Sequence, residues 1–382
     1  MSDSISIMLG GDLSYAGEVP KEASLWGKGL QSLIEESDFL ALNLEGPLTA
    51  EEVQRPKIGA HLKGRSGLAS FLRQNHVKFV SLANNHIFDY EENGVRETMR
   101  LCNENGISFA GIAEEPWCKT SPVKYADVKG RRIGFYCLAE HEFNYKDDFS
   151  LSTVLLEPAR NVLEIQRSRK ECDALIVFSH IGPEHTAYPS PRMVSLFHCF
   201  AEAGASAIVN AHAHHVMGME NYGGVPIFYG LGNLLFSMKS QMPGWKEGML
   251  AHLELQEYGS FVGKPVFTAF DAEKVQVSMD ENPQRAVEFK QISDILSNPV
   301  ELDALWHDFC CSQRRHILKE CAKGGIAMLP CFLASKITGR HRKVKASSYF
   351  AKGGRMLRGM FQCENHADVL ARIFRDLSNG DF

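Results

Sequence analysis

Six side chains of the kinds that bind transition metals follow short apolar runs within the first 214 residues. Two are carboxylates, one is an amide and three are imidazoles. Carboxylate, amide oxygen and imidazole together suit Mn, Fe or Zn better than Ca or Mg, which prefer shells made of oxygen alone. The sequence therefore predicts a site for a divalent metal ion. Its predicted ligands are Asp12, Glu45, Asn85, His180, His212 and His214.

These six side chains come directly after short apolar runs rich in Ile, Val, Leu and Phe, which are typical of buried strands. In open α/β sheets, ligands bind at the carboxyl ends of strands, so five separate segments would converge on one crevice. A single His or Asp at a strand end is more often a cap or a turn residue. The succession of five favours a metal site instead. The predicted strands are 5–9, 39–44, 77–82, 175–178 and 207–209.

The stretches between these runs have the spacing of helices, for example 91–105 and 193–203. Gly204 follows the second of them, as a helix C-cap would. Lys129 and Gly130 predict the turn of a hairpin that is inserted over 123–137. This alternation of strand and helix favours an α/β layered domain.

Further strands are predicted at 225–229, 249–255 and 266–270, and the strand pattern stops near residue 280. We therefore predict an α/β domain over 1–280 and a mainly helical C-terminal region over 281–382. Side chains two apart on an extended segment share a face, so we also expect an extended backbone to point the rings of His212 and His214 to one side.

The composition is that of a globular protein, with 44% hydrophobic and 23% charged residues. The sequence has no apolar stretch of the roughly 20 residues that a membrane-spanning helix needs. Its first residues lack the basic and long apolar regions of a signal peptide. None of the ten cysteines forms a CxxC pair, so we expect buried, reduced thiols. Together these features predict a cytoplasmic protein.

The segments around the predicted ligands resemble those of the CapA family of capsule and poly-γ-glutamate synthesis proteins, which is similar to a branch of the calcineurin-like metallophosphoesterase superfamily. The resemblance runs from Gly11 to Asn233 in the family's order. It implies a layered α/β sandwich of the metallophosphoesterase type, here with a C-terminal helical extension. The matching segments are 11–12, 43–49, 81–86, 180–184, 212–214 and 229–233.

This resemblance also implies how the ligands divide between two ions. Asp12 and His214 would hold the first ion, Glu45 would bridge both, and the other three predicted ligands would hold the second. The superfamily often begins with Asp-x-His, but Ser14 stands at the third position here. The first ion thus keeps only three of the predicted ligands. We therefore expect the first site to bind its ion less well. The ligand set is consistent with either one ion or two.

Four further residues are candidates by the same resemblance. His86 resembles the residue that protonates the leaving oxygen in phosphoesterases, or it is a histidine that Asp89 fixes to orient its neighbours. Glu184 binds substrate, holds His180 in one tautomer, or is a solvated loop acid. Asn233 hydrogen-bonds the ligand loops or adopts a left-handed turn conformation.

The C-terminal region contains a basic cluster. Nine Lys or Arg residues and no acidic residue lie between Cys321 and Cys363, beside an apolar segment at 325–334 that is too short to span a bilayer. Such a cluster suits peripheral contact with an anionic membrane, where each basic residue is worth about 1 kcal/mol. An anionic polymer, or the acidic N-terminal domain itself, would be attracted in the same way. No nucleic-acid motif accompanies the cluster, so we expect no nucleic-acid partner.

Two functions are consistent with these residues. One is a metal-dependent hydrolase of phosphoesters, or of a cell-surface polymer intermediate, that acts in capsule, poly-γ-glutamate or cell-surface polysaccharide biosynthesis. The other is a non-catalytic accessory protein of polymer assembly that holds an anionic chain in its metal pocket. The ligand set suits either. His86 separates them, because a binding module needs no proton donor beside the metal.

The expected location conflicts with the family's usual place outside the cytoplasmic membrane. Either this member acts on a cytoplasmic precursor, with a possible peripheral position at the inner face of the membrane, or an upstream segment is missing from the sequence.

Overall fold

Two large β-sheets packed face to face, with helices on their outer faces, and a third sheet of two short strands form the described part of the chain that precedes residue 280. The computed structural model describes residues 4–27, 29–57, 59–114, 121–144, 150–338 and 363–379. The layered α/β fold predicted from the sequence is confirmed. Among the described residues, no helix is both long enough and apolar enough to cross a membrane.

The strands are numbered here in chain order. They are β1 (Ser6–Ser14), β2 (Phe39–Leu44), β3 (Phe79–Ser81), β4 (Ser108–Ala110), β5 (Ile112–Glu114), β6 (Lys124–Val128), β7 (Arg131–Ala139), β8 (Leu151–Thr153), β9 (Ala174–His180), β10 (Ala207–Ala211), β11 (Met219–Tyr222), β12 (Val225–Phe228), β13 (Asn233–Phe236), β14 (Glu247–Leu255), β15 (Phe261–Asp271) and β16 (Gln276–Met279).

The helices lie between and after these strands. They are α1 (Leu30–Glu36), α2 (Gly67–Gln74), α3 (Glu91–Glu104), α4 (Pro158–Ser168), α5 (Pro191–Ala203), α6 (Pro283–Leu296), α7 (Pro299–Thr338) and α8 (Glu364–Asn379).

The first sheet has the order β16-β15-β14-β1-β2-β3-β4, and β13 pairs with β1 beside this path. Strands β1 to β4 and β13 are parallel, and β14 to β16 are antiparallel. The second sheet has the order β11-β12-β10-β9-β7-β6, with a parallel centre. Each sheet therefore has parallel central strands whose carboxyl ends lie at one edge.

The central strands are buried on both faces, which explains their continuous apolar runs. In β1, Ile7 and Leu9 pack between the sheets, while Met8 packs on the side of α1 to α3. In β9, Ile176 packs between the sheets and Val177 packs on the side of α4 and α5. Successive side chains alternate between two apolar layers. The result is a four-layer arrangement of helix, sheet, sheet and helix.

The first strand is longer than the sequence predicts. It continues to Ser14, so Asp12 lies inside β1 and not after its end. The register with β2 shifts between Gly10 and Asp12, and such a shift re-aims the side chains that follow it. A Cβ atom on Gly11 would lie 2.1 Å from the carbonyl oxygen of Gly232. Only glycine allows this close approach, by which β13 joins β1.

Several local predictions agree with the structure. Helix α3 begins at Glu91 and α5 ends before Gly204, whose φ of 115° is that of a left-handed C-cap. Lys129 and Gly130 both have positive φ and form the turn between β6 and β7. After Met279 the described chain is helical.

The C-terminal helices α7 and α8 share a small apolar core of their own. Trp306 and Cys310 of α7 pack with Val369 and Ile373 of α8. The Arg192 side chain of α5 contacts Asp368 of α8 at 2.6 Å, which attaches this pair to the sandwich. Side chains of the predicted basic cluster and apolar segment lie outside the described residues.

Candidate metal centre

The six predicted ligands lie together where the parallel strands of the two sheets end. Two hydrogen-bond contacts connect the sheets at this point, and a third joins β1 to β2 within the first sheet. The backbone amide of His212 donates to Asp12 Oδ2 at 3.0 Å, and Asn43 Nδ2 lies 2.7 Å from Asp12 Oδ1 and 3.2 Å from Nδ1 of His180. These contacts hold β1, β2, β9 and the turn after β10 in one position. Asn43 was not predicted, although it stands two residues before Glu45.

Asp12, Glu45 and His214 form the first half of the centre. One ligand atom from each lies within 4.8 Å of the others, and all three residues are buried. Nδ1 of His214 hydrogen-bonds Asn233 Oδ1 at 2.9 Å, so its other nitrogen, Nε2, is left to face Glu45 at 3.8 Å. Of the two roles predicted for Asn233, the hydrogen bond to a ligand is the one observed. The structure brings all three predicted ligands of this half together.

Asn85, His180 and His212 form the second half. Nε2 of His180 lies 3.1 Å from Asn85 Oδ1 and 3.0 Å from Nδ1 of His212. Three potential ligand atoms therefore face one another across a short gap. Nδ2 of Asn85 is 3.3 Å from Glu142 Oε2, a contact that directs the amide oxygen of Asn85 toward the two rings.

Glu45 has a buried carboxylate. Its exposure is 2%, and none of the described residues donates a hydrogen bond to either of its oxygens. Burial, followed by the charge of Asp12, raises the pKa of Glu45 well above its ordinary value. An unpaired buried carboxylate is costly unless a cation compensates it. The donor set and this uncompensated carboxylate fit a divalent ion at the centre.

His212 contacts a carboxylate that was not predicted. Its Nε2 atom lies 3.0 Å from Oε1 of Glu140, which directly follows β7. Burial alone would lower the pKa of His212, but Glu140, with smaller contributions from Glu184 and Glu142, raises it to about 10. Such a carboxylate partner orients a ligand ring and increases its basicity. Glu140 obeys the same strand-end rule as the predicted ligands, but its strand was interpreted as half of an inserted hairpin.

The expected extended backbone at His212 and His214 is wrong. Their φ angles are 83° and 53°, both in the left-handed region. The chain turns here because β10 ends at Ala211, where the next residue reaches across to Asp12. Left-handed conformations of non-glycine residues cost about 1 to 2 kcal/mol each and cluster at functional sites. The two rings thus approach the centre from a strained turn, not from one face of a strand.

His86 is placed beside the centre by Asp89 and Lys57. Its Nδ1 atom lies 2.7 Å from Asp89 Oδ2, and its Nε2 atom lies 3.8 Å from Oε1 of Glu45. Lys57, which was not predicted, forms a buried ion pair with Asp89 and lies 3.1 Å from Nδ1 of His86. Burial lowers the pKa of His86, Lys57 lowers it further, and Asp89 opposes both. Both predicted roles of His86 fit this placement.

Glu184 lies at the open side of the centre. Its Oε1 atom is 3.8 Å from Nδ1 of His212, and its side chain is 31% exposed. Among the described residues, no hydrogen bond joins it to His180, so the tautomer-holding role is not observed. Glu184 is positioned to meet a bound ligand from the solvent side.

Comparison with known protein families shows to which family the chain belongs. The sequence model of the family described as "Bacterial capsule synthesis protein PGA_cap" matches residues 6–238. The chain belongs to this family. The resemblance found in the sequence is thereby confirmed, and all six predicted ligands of this PGA_cap protein lie inside the matched residues.

Individual relatives agree with the family assignment. The chain is 22% identical over 331 residues to "Capsule biosynthesis protein CapA" of Bacillus anthracis, with 77% of each chain covered. It is 26% identical over 267 residues to "PGA biosynthesis protein CapA" of Bacillus subtilis, with 68% of each covered. Among solved structures, a 5'-nucleotidase precursor from Thermus thermophilus aligns with a TM-score of 0.43 and 14% identity, covering 78% of this chain and 59% of that one.

Proposed function

We propose that this PGA_cap protein is a metal-dependent hydrolase of the phosphoesterase type that acts on an anionic substrate in capsule or poly-γ-glutamate biosynthesis. The substrate would be a phosphoester or an anionic polymer intermediate. One observation carries the proposal: the buried Glu45 carboxylate, without a hydrogen bond from any described residue, lies with Asp12 and His214 in a compact group of metal-ligand side chains.

The ligand side chains would supply the metal chemistry that a hydrolase uses. One or two divalent ions there would polarise an ester oxygen and lower the pKa of a bound water. Asp12, Glu45 and His214 would hold one ion. Asn85, His180 and His212, with Glu45 as the bridge, would hold the other. Mn, Fe and Zn all suit this mixed oxygen and nitrogen set.

His86 supplies the proton in this proposal. Asp89 accepts the Nδ1–H of His86, which leaves Nε2 directed toward the centre, 3.8 Å from Glu45. In the free protein, burial and Lys57 keep the pKa of His86 low. An anionic substrate near Nε2 would raise that pKa, because a nearby negative charge favours the protonated ring. The proton on Nε2 would then pass to the leaving oxygen.

The accessory function predicts a different role for the same residues. A protein that only holds an anionic chain would need the ion, but no proton transfer. The two functions therefore differ in how His86 affects turnover and not in how the ion is bound.

The test is the effect of His86→Ala on turnover. Full-length protein loaded with Mn²⁺ or Zn²⁺ is assayed against phosphomonoester, phosphodiester and γ-glutamyl substrates. We expect kcat to fall by about 10² to 10⁴, the usual contribution of a general acid, with metal content unchanged. His252→Ala is the matched control, since that ring bonds Ser6 at 2.9 Å and takes no part in the centre. Metal-loaded wild-type protein that cleaves none of these substrates would instead support the accessory function.

A further inference from the structure

A second group of metal-ligand side chains lies beside the centre and shares none of its ligands. Glu142, Cys363 and His366 each offer one ligand atom, and these atoms lie within 4.8 Å of one another. Glu142 belongs to the segment that follows β7. Cys363 directly precedes α8, and His366 lies in its first turn. Residues three apart on a helix are neighbours, so the thiol and the imidazole face the same way.

The ring of His366 lacks another partner among the described residues. Cys363 is 4% exposed, and Nδ1 of His366 is a buried atom with no hydrogen bond to any described residue. A buried ring nitrogen without a partner is unfavourable unless something else binds it. Burial also raises the pKa of the Cys363 thiol well above its ordinary value, so the thiol is neutral in the metal-free protein.

The ligand types of the three side chains favour Zn²⁺. Thiolate, imidazole and carboxylate are the ligand types of zinc sites, and three protein ligands leave one position open for water or another ligand. Ligand atoms at about 2.0 to 2.3 Å from an ion lie up to about 4.6 Å apart. Small side-chain rotations would close the group onto an ion. Binding would release the thiol proton to solvent.

We infer that Glu142, Cys363 and His366 form a separate Zn²⁺ site that attaches the start of α8 to the PGA_cap domain beside the metal centre. Glu142 belongs to the residues that the family matches, whereas Cys363 and His366 lie beyond residue 238. Nδ2 of Asn85 lies 3.3 Å from the Glu142 carboxylate, so the new site and the centre are adjacent. The inference does not depend on whether the centre catalyses a reaction.

Cobalt spectroscopy tests the inference, because none of the six ligands of the centre contains sulfur. Full-length, chelator-treated protein is titrated with Co²⁺. We expect a thiolate-to-cobalt charge-transfer band in the near ultraviolet that added Zn²⁺ removes. Cys363→Ser should abolish the band and lower Zn²⁺ stoichiometry by one ion. Cys310→Ser is the matched control, because Cys310 is equally buried in the adjoining core but lies outside the group, and it should keep the band.

A second variant guards against a folding defect in the first. His366→Gln keeps Cys363 and removes only the imidazole, and we expect the Co²⁺ affinity reported by the band to fall about tenfold or more. Circular dichroism verifies that each variant is folded. The inference is wrong if wild-type protein at saturating Co²⁺ shows no thiolate band, or if the band persists in Cys363→Ser.

Discussion

The metal centre and the Glu142–Cys363–His366 group lie side by side, yet different kinds of structure hold their side chains. Ligands of the centre come from the ends of strands in two packed sheets and from the turns that follow them. Two of the three residues in the other group come from the start of a single helix. Asn85, which contacts Glu142, is the point where the two regions meet.

This difference has a physical consequence. Strand ends in the sandwich are fixed by inter-strand hydrogen bonds and by apolar layers on both faces. The start of α8 is fixed by one small core and a few polar contacts, among them Arg192 with Asp368. We therefore expect the centre to be preorganised, and the other site to form only while α8 is docked. Four predictions, made with three variants, follow from this contrast.

The largest effect is expected from Glu45→Gln. Mutating residues that merely support metal ligands costs about 10- to 100-fold in affinity, and Glu45 is itself a ligand shared by both halves. We expect metal affinity at the centre to fall by more than about 100-fold and hydrolase activity to fall with it. Zn²⁺ or Co²⁺ at the Cys363 thiolate should be unaffected. Loss of metal from both sites together would contradict the contrast.

The same variant has a pH-dependent effect on metal-free protein. Because burial raises the pKa of Glu45 in the folded state, folded wild-type protein binds more protons than unfolded protein between the ordinary and the raised value. Its free energy of unfolding therefore falls as pH rises through that window. An amide side chain does not titrate, so Glu45→Gln should gain stability over chelated wild-type protein as pH rises. Thermal unfolding across this range measures the difference.

An intermediate effect is expected from Asn233→Ala. Asn233 Oδ1 accepts from Nδ1 of His214 at 2.9 Å, and this bond keeps the other ring nitrogen free for an ion. We expect metal affinity at the centre to fall by about 10- to 100-fold, as for other residues that orient metal-bound histidines. Isothermal titration with Mn²⁺ or Zn²⁺ measures this.

Asn161→Ala is the matched control for that variant. Asn161 is equally buried and bonds the hydroxyl of Tyr136 at 2.7 Å, away from the centre. It should lower the free energy of unfolding without changing metal affinity. Equal losses of affinity in both variants would mean that general stability, and not the orientation of His214, governs the centre.

The sequence predicted which candidate ligands lie together, because five of the six end or follow a buried strand. Asp12 instead lies inside β1, and the two sheets bring all six together. Sequence reasoning failed where a role depends on a tertiary neighbour. Lys57 lies in a loop without periodicity, and only the fold brings it to Asp89 and His86.

Backbone conformation was the second feature that the sequence did not predict. No glycine marks the left-handed turn at His212 and His214, so the sequence favoured an extended segment. The short run of β13 was missed for a related reason. Its pairing with β1 depends on the contact between Gly11 and Gly232, which lie far apart in the chain.

The smallest effect is expected from Ile373→Val in the core between α7 and α8. Ile373 is 1% exposed, and losing one buried methylene costs about 0.5 to 1.5 kcal/mol. Local undocking governs hydrogen exchange in weakly attached elements. A loss of about 0.5 to 1.5 kcal/mol at 25 °C should therefore make the amides of α8 exchange about two- to twelvefold faster. Amides of β9, beside the centre, should not change. Val300→Ala is the control, since Val300 is 81% exposed and its loss should leave both unchanged. If α8 and β9 accelerated equally, the two regions would unfold as one unit, and the docking of α8 could not be what separates the two metal sites.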